Sequence, residues 1–300
     1  MLKVMTVVGT RPEVIKLSRI IPAFDKFFDH RLVHTNQNYD YELNKIFFDE
    51  LKIRQPDVFL DTASTSAAGT ISNVISQVDE QIKEFNPDAF FILGDTNSCL
   101  SAISAKRNKI PIFHFEAGNR CFDLRVPEEI NRKIVDHVSD INITYSQIAK
   151  DYLLKEDFPA DQIICVGSPM KEILNYYEKN INSSKIMKEI DLEPSSFFLI
   201  SMHREETVDD KKKLTEIFKT LTELKEIYKK RIIISCHPRT KNRLEEFQIE
   251  TDKDLEFFSP FSFLDYIQLQ KNAFIVISDS GTITEESSIL NFPAINLREE

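Results

Sequence analysis

The 300-residue sequence predicts an α/β protein built from two doubly wound domains. Three observations carry that prediction. Short apolar runs alternate with segments of helical spacing along the chain. The alternation thins between about 168 and 195 into charged helical segments, then resumes. Polar clusters sit at the ends of the apolar runs. Strands separated by helices are joined by right-handed crossovers, so both sheets are expected to be mostly parallel. The expected domains are 1–168 and 169–300. Two such domains facing each other make a cleft walled by strand ends and helix N-termini.

In chain order, 2–8 is a strand, broken by Gly9-Thr10-Arg11-Pro12, and one helix carrying Ile15, Ile20 and Phe24 follows. A second strand, 31–35, precedes a helix over 41–51, and 57–60 is short and extended. Apolar residues at 71, 74, 75, 78, 82 and 85 predict a helix over 70–85. The strand 89–93 ends in Gly94-Asp95-Thr96, with a helix of small residues behind it. The run 110–115 is a buried strand, which places His114 and Glu116 on one face of an extended chain that Gly118 ends. Pro127 begins a helix with Glu128 and Glu129 in its first turn. Within it Glu128 can pair with Arg132, and Glu129 with Arg132 or Lys133. Strands 141–145 and 163–166, with a helix from Ser146 between them, complete seven strands in this half. The second half has strands at 197–202, 232–236, 255–258, 274–278 and 294–297, and its longest helix spans about 209–230.

Composition narrows the function. Three hundred residues make one large or two ordinary domains at roughly 150 residues each. At 42% hydrophobic there is apolar material for two cores. A net charge of −10, from 48 acidic and 38 basic side chains, argues against nucleic acid as the partner. The four cysteines, 99, 121, 165 and 236, are far apart, with no CxxC and no zinc-type cluster, which favours a reduced, cytoplasmic setting. No run reaches the roughly 18 apolar residues of a membrane helix, so a soluble protein without a membrane partner is expected.

The six glycines form neither a GxGxxG loop nor a GxxxxGK[ST] loop, and no GxSxG occurs. Nicotinamide, ATP and serine-hydrolase chemistry are therefore disfavoured, and no metal set is apparent. What remains are strand-end groups. Arg11 and Lys16 offer cations for phosphate or carboxylate, with plain surface charge as the competing assignment. Asp95 is a strand-end carboxylate, with capping of the helix behind it as the competing assignment. Glu116 and Glu128 flank one loop at the carboxyl end of a parallel strand, where open α/β sheets place ligands. His203 and Arg204 follow one strand of the second half, and His237 the next. Ser278-Asp279-Ser280-Gly281-Thr282 passes from strand through a tight turn into a helix whose free N–H groups suit a diphosphate. Glu285 or Glu286 would accept ribose hydroxyls, and Phe261 and Tyr266 either stack on a base or belong to the core.

These stretches, GTRPE (9–13), GDT (94–96), HFEAG (114–118), PEEINR (127–132), HRE in SMHREE, CHPR (236–239) and SDSG…EE (278–286), resemble the non-hydrolysing UDP-N-acetylglucosamine 2-epimerase family, in family order over essentially the whole chain. The stretch GNRCFDLRVPEE most resembles the branch acting on UDP-2-acetamido-2,6-dideoxy-L-talose, which makes UDP-N-acetyl-L-fucosamine for capsule or O-antigen. The resemblance implies two Rossmann-like domains of glycosyltransferase-B type, no cofactor, a UDP-activated amino sugar as partner, and a homodimer. It implies loss of the C2 proton with expulsion of UDP, a glycal intermediate, and re-addition of UDP with a proton delivered to the other face of C2. By motif, Asp95, Glu116 and Glu128 become acid/base residues, and His203 stabilises the departing diphosphate. Arg11, Lys16, Ser280, Gly281 and Glu286 contact the nucleotide. Thr282 stands where the family usually has a second glycine. Family members continue beyond residue 300 with an arginine-bearing stretch and a terminal helix, so the second domain is expected to be incomplete at its C-terminus. A glycosyltransferase and a nucleotide-sugar-binding module are the competing functions; the first gives no reason for carboxylates at 95, 116 and 128 together.

Overall fold

A computed structural model describes residues 1–36 and 48–297, with the backbone alone at Glu205 and Glu206. The helix expected over 41–51 lies largely outside the described residues, as do residues 298–300. The chain divides into two compact units, Met1–Ile173 and Leu174–Glu300. Each is a parallel sheet with helices between its strands.

In the first unit the strands are β1 (Lys3–Val8), β2 (Asp29–His34), β3 (Val58–Phe59), β4 (Ala89–Leu93), β5 (Ile112–Phe115), β6 (Ile141–Thr144) and β7 (Ile163–Cys165). Their order is β3-β2-β1-β4-β5-β6-β7. The chain winds outward from β1 to β3, then returns to lay β4 on the other side of β1. That reversal opens a crevice beyond the carboxyl ends of β1 and β4. In the second unit β8 (Phe197–Met202), β9 (Arg231–Cys236), β10 (Leu255–Phe258), β11 (Ile275–Ser278) and β12 (Ala294–Asn296) are ordered β10-β9-β8-β11-β12. The reversal here lies between β8 and β11.

Continuous apolar runs become central strands because both faces of a parallel sheet are covered. Along β8, Phe197 and Leu199 enter one apolar cluster, with Ile233 and Val276. Phe198 and Ile200 enter another, with Ile232, Ile234 and Ile277. The alternation of strand side chains thus feeds two cores from one strand. Helix starts follow local chemistry. Ser66 accepts from Gly69 N at 3.0 Å before the helix Ala67–Phe85, and Ser146 accepts from Ala149 N at 3.1 Å before Gln147–Lys155.

Two expectations are corrected. The single helix after β1 is two, Arg11–Leu17 and Ile20–Phe27. Pro22 explains the break, since proline is tolerated in a first turn but not in a helix interior. The strand over 110–115 ends at Phe115, and Glu116 turns out of it with φ +70°. His114 and Glu116 therefore do not share the face of one extended segment.

At the end of β2, His34 is fully buried, with ring centroids 6.2 Å from Phe48 and 5.4 Å from Phe59. Its Nδ1 accepts from Asn36 N at 3.1 Å. Burial pushes its pKa down from 6.5 to about 4. The unfolded chain takes up this proton first, so stability present above pH 6.5 falls as pH drops through about 4. The loss from His34 alone approaches about 3 kcal/mol. Buried His30 shifts in the same direction. Urea unfolding of the wild type should weaken steadily between those pH values, and His34→Asn should flatten that slope even where its ring loss lowers stability overall.

Candidate active site

The first unit gathers its polar groups beyond β1, β4 and β5. After β1 the chain passes Gly9, where a Cβ would lie 1.9 Å from Ser98 Oγ and 2.2 Å from Thr35 Oγ1, so no larger residue fits. Glu13 folds back as a capping-box residue. Its Oε2 accepts from Gly9 N at 2.6 Å and Thr10 N at 2.8 Å, and its Oε1 accepts from Thr96 Oγ1 at 2.6 Å. Burial raises its pKa, with these hydrogen bonds opposing. Glu13 thereby ties the turn bearing Arg11 to the turn bearing Asp95. Its signal in the sequence was Thr10-x-x-Glu13, the capping-box spacing.

Asp95 and Glu116 follow neighbouring strands, with Leu93 of β4 in register with Phe115 of β5. Asp95 is ion-paired with Arg132, and Asn131 Nδ2 donates to the Asp95 carbonyl at 3.0 Å. Both partners come from the helix Pro127–Val138. Glu116 Oε2 lies 2.5 Å from Lys16 Nζ, and both side chains are largely buried, at 15% and 11% exposure. Lys16 also lies 5.6 Å from the Tyr145 ring centroid. A left-handed φ at a non-glycine residue costs about 1–2 kcal/mol. Neighbouring backbone bonds hold Glu116 there: Gly94 N donates to Phe115 O at 2.9 Å, and Ala117 N to Ile143 O at 3.1 Å. Glu128 is half-buried in the first turn of the helix and makes no ion pair with the described residues. Glu129 is fully buried, accepts from Cys121 N at 3.0 Å, and lies 3.6 Å from Arg132 and 3.4 Å from Lys133.

Lys16, expected at the nucleotide, pairs with Glu116 in this structure. Arg132 serves Asp95 and Glu129 rather than Glu128. Arg11 occupies the first helical position after Thr10, as expected of a strand-end cation.

The second unit repeats the device. Asp279, fully buried after β11, accepts from His203 N at 3.0 Å and Arg204 N at 3.0 Å, both just after β8. Its carboxylate lies 3.2 Å from His203 Nδ1. Burial opposes its charge, but His203 and the two backbone N–H groups outweigh that and hold its pKa below the usual value. With Nδ1 turned to Asp279, the half-exposed His203 ring leaves Nε2 for a ligand. His237 caps the helix Pro238–Glu246 by accepting from Arg239 N at 3.2 Å, and its ring centroid lies 6.3 Å from that of His203. Ser280, Gly281 and Thr282 precede the helix Ile283–Leu290. The Ser280 and Thr282 hydroxyls are 3.1 Å apart. Glu286 is buried and accepts from Gln270 Nε2 at 2.7 Å. Phe261 is buried in the apolar cluster of this unit and thus joins the core, and the partly buried Tyr266 packs against it.

Among the described residues no group of three or more histidine, cysteine or acidic side chains is arranged to hold a metal, and no helix is long and apolar enough to cross a membrane. Fold and strand-end groups define a two-domain α/β enzyme of glycosyltransferase-B architecture. The chain belongs to the UDP-N-acetylglucosamine 2-epimerase family, whose model matches residues 23–300. It is similar to the UDP-N-acetylglucosamine 2-epimerase of Methanocaldococcus jannaschii, at 37% identity over 308 residues covering 99% of this chain and 84% of the relative. A crystal structure of that enzyme in complex with UDP-GlcNAc and UDP superposes with a TM-score of 0.93 at 36% identity, covering 99% of this chain and 84% of that one. The structure of a Rickettsia bellii UDP-N-acetylglucosamine 2-epimerase superposes with a TM-score of 0.91 at 53% identity, covering 100% and 80%. The UDP-2,3-diacetamido-2,3-dideoxy-D-glucuronate 2-epimerase of Pseudomonas aeruginosa is 31% identical over 304 residues, covering 100% and 84%. The protein is accordingly an isomerase, a UDP-sugar 2-epimerase.

Glu13 gives a direct check on the first unit's geometry. Glu13→Gln keeps a carbonyl for Gly9 and Thr10 and can turn its amide toward the Thr96 hydroxyl, so unfolding stability should stay close to wild type. Glu13→Ala leaves buried N–H groups without acceptors and should cost about 2–4 kcal/mol, read by urea denaturation.

Proposed function

We propose that the enzyme inverts C2 of UDP-2-acetamido-2,6-dideoxy-L-talose, giving UDP-N-acetyl-L-fucosamine, by removing and restoring UDP. The observation that carries the chemistry is a set of carboxylates: Asp95, held by Arg132, and Glu116, held by Lys16, beyond the carboxyl ends of β4 and β5, and Glu128, without an ion pair among the described residues, in the helix that supplies Arg132. A base takes the C2 proton while the C1–O bond breaks and its electron pair leaves with UDP, producing a glycal. UDP oxygen then re-adds at C1, and an acid returns a proton to the opposite face of C2. One group cannot serve both faces, so at least two acid/base groups are required.

In this reading Asp95, Glu116 and Glu128 transfer protons, with Lys16 and Arg132 orienting the first two. His203, set by Asp279, donates to the departing diphosphate. Arg11, Arg204, His237, Ser280, Gly281 and Thr282 contact the nucleotide, and Glu286, steadied by Gln270, takes the ribose hydroxyls. No redox group or metal is needed, since the leaving group returns. The 6-deoxy sugar rests on the stretch 118–129, GNRCFDLRVPEE. A second reading, interconversion of UDP-N-acetylglucosamine and UDP-N-acetylmannosamine, is favoured by the names of the Rickettsia and Methanocaldococcus relatives. The Pseudomonas relative, named for a third sugar, supports a scaffold that accepts several. The product would feed capsule or O-antigen synthesis, made by a homodimer in the cytoplasm.

Incubation in D2O with each UDP-sugar, followed by mass spectrometry and NMR, tests this reading. The expected result is one deuterium at C2 with UDP still attached, faster for the 6-deoxy-L-talo sugar. Glu128→Gln should lower that rate about 10²–10⁴-fold while calorimetric UDP affinity changes little. Turnover only with an added acceptor sugar would mark a glycosyltransferase, and UDP binding without exchange a binding module.

A further inference from the structure

A buried polar chain below the Asp95 and Glu116 loops has no role in the chemistry above. His114, on β5, is fully buried and faces two loops at once. Its Nε2 lies 2.8 Å from the carbonyl of Gly94, the residue before Asp95. Its Nδ1 lies 2.9 Å from Asp136 Oδ1, and Asp136 is itself fully buried. Asp136 also accepts from Gly118 N at 3.3 Å, two residues beyond Glu116, and pairs with Arg120 at 2.7 Å. Arg120 in turn forks onto Glu156, with hydrogen bonds of 2.8 and 2.7 Å. Gly118 has φ +77°, and a Cβ there would lie 2.5 Å from the Ala149 carbonyl, so this turn closes down against the helix Gln147–Lys155.

We propose that His114 is a positioning residue for the reaction: through the Gly94 carbonyl its ring ties the turn bearing Asp95 to β5, the strand that leads into Glu116, and so sets the spacing of those two carboxylates. The proposal rests on the reading that Asp95 and Glu116 handle the C2 proton. A buried histidine needs partners for its two nitrogens in any fold. What distinguishes this one is that Gly94 directly precedes one candidate carboxylate, while Asp136 holds Gly118, two residues beyond another. A shift of about 1 Å in such spacing costs on the order of 100-fold in rate.

Two half-mimics separate the links. Glutamine places its amide near the Nε2 position and keeps the Gly94 bond. Asparagine places its amide near the Nδ1 position and keeps the Asp136 contact. Each loses one buried contact, so their melting temperatures should fall alike. C2 deuterium incorporation from D2O is then followed with whichever UDP-sugar the wild type turns over. His114→Asn should lose about 100-fold in kcat with KM within about threefold, and His114→Gln should stay within about fivefold of wild type. Amide hydrogen exchange over 94–97 should quicken about tenfold or more in His114→Asn alone. Rates falling in parallel in both variants, following stability, would overturn the proposal. So would unchanged exchange over 94–97 in His114→Asn. A wild type that places no deuterium at C2 would refute the epimerase reading instead, and the amide exchange would still decide whether His114 ties down the Asp95 turn.

Discussion

A buried carboxylate straddles the reversal point of each sheet, and the sites on both depend on it. In the first unit Glu13 leaves the β1 turn and holds Thr96 beyond β4. In the second, Asp279 leaves β11 and holds the first two residues beyond β8. A parallel sheet that winds both ways from its first strand leaves two loops side by side here with nothing in the ladder to join them. A carboxylate suits the task because it accepts several N–H groups at once. The environments differ: burial dominates at Glu13 and raises its pKa, whereas His203 and the backbone keep that of Asp279 low.

Charge around the trio of carboxylates is unequal, and the inequality gives it chemical meaning. Asp95 and Glu116 each face a cation delivered by a helix from elsewhere in the unit. Glu128 shares the first turns of a helix with Asn131 and Arg132, both engaged at Asp95. Groups that must act on opposite faces of one carbon need fixed separation more than they need individual strength. The left-handed backbone at Glu116 fits that demand, since strain at such a residue persists only where surrounding bonds over-determine it.

Much of this architecture was legible in the sequence. All twelve strands among the described residues fall on the apolar runs that predicted them, because continuous burial on both faces leaves a continuous apolar record. The turns after β1, β4, β5, β8 and β11 were legible as polar clusters. Local pattern did not reveal which partner each polar group finds. Lys16 meets Glu116 across 100 residues, and His203 meets Asp279 across 76. Neither pairing leaves a periodic trace. Phe261 and Tyr266 show the converse: local sequence leaves core and ligand roles both open, and only the three-dimensional cluster shows that Phe261 is buried and Tyr266 packs against it. Pro22 was a local signal for the broken helix and was outweighed by the apolar spacing around it.

The central claim is that UDP leaves C1 and returns. Positional isotope exchange tests it most directly, with oxygen-18 placed in the bridge between C1 and the β-phosphorus. The account predicts that the label scrambles into the non-bridging β-phosphate oxygens as deuterium enters C2, because a freed diphosphate can rotate before it re-adds. Deuterium at C2 with the label still in the bridge would mean that no freely rotating diphosphate is released, and would contradict the account.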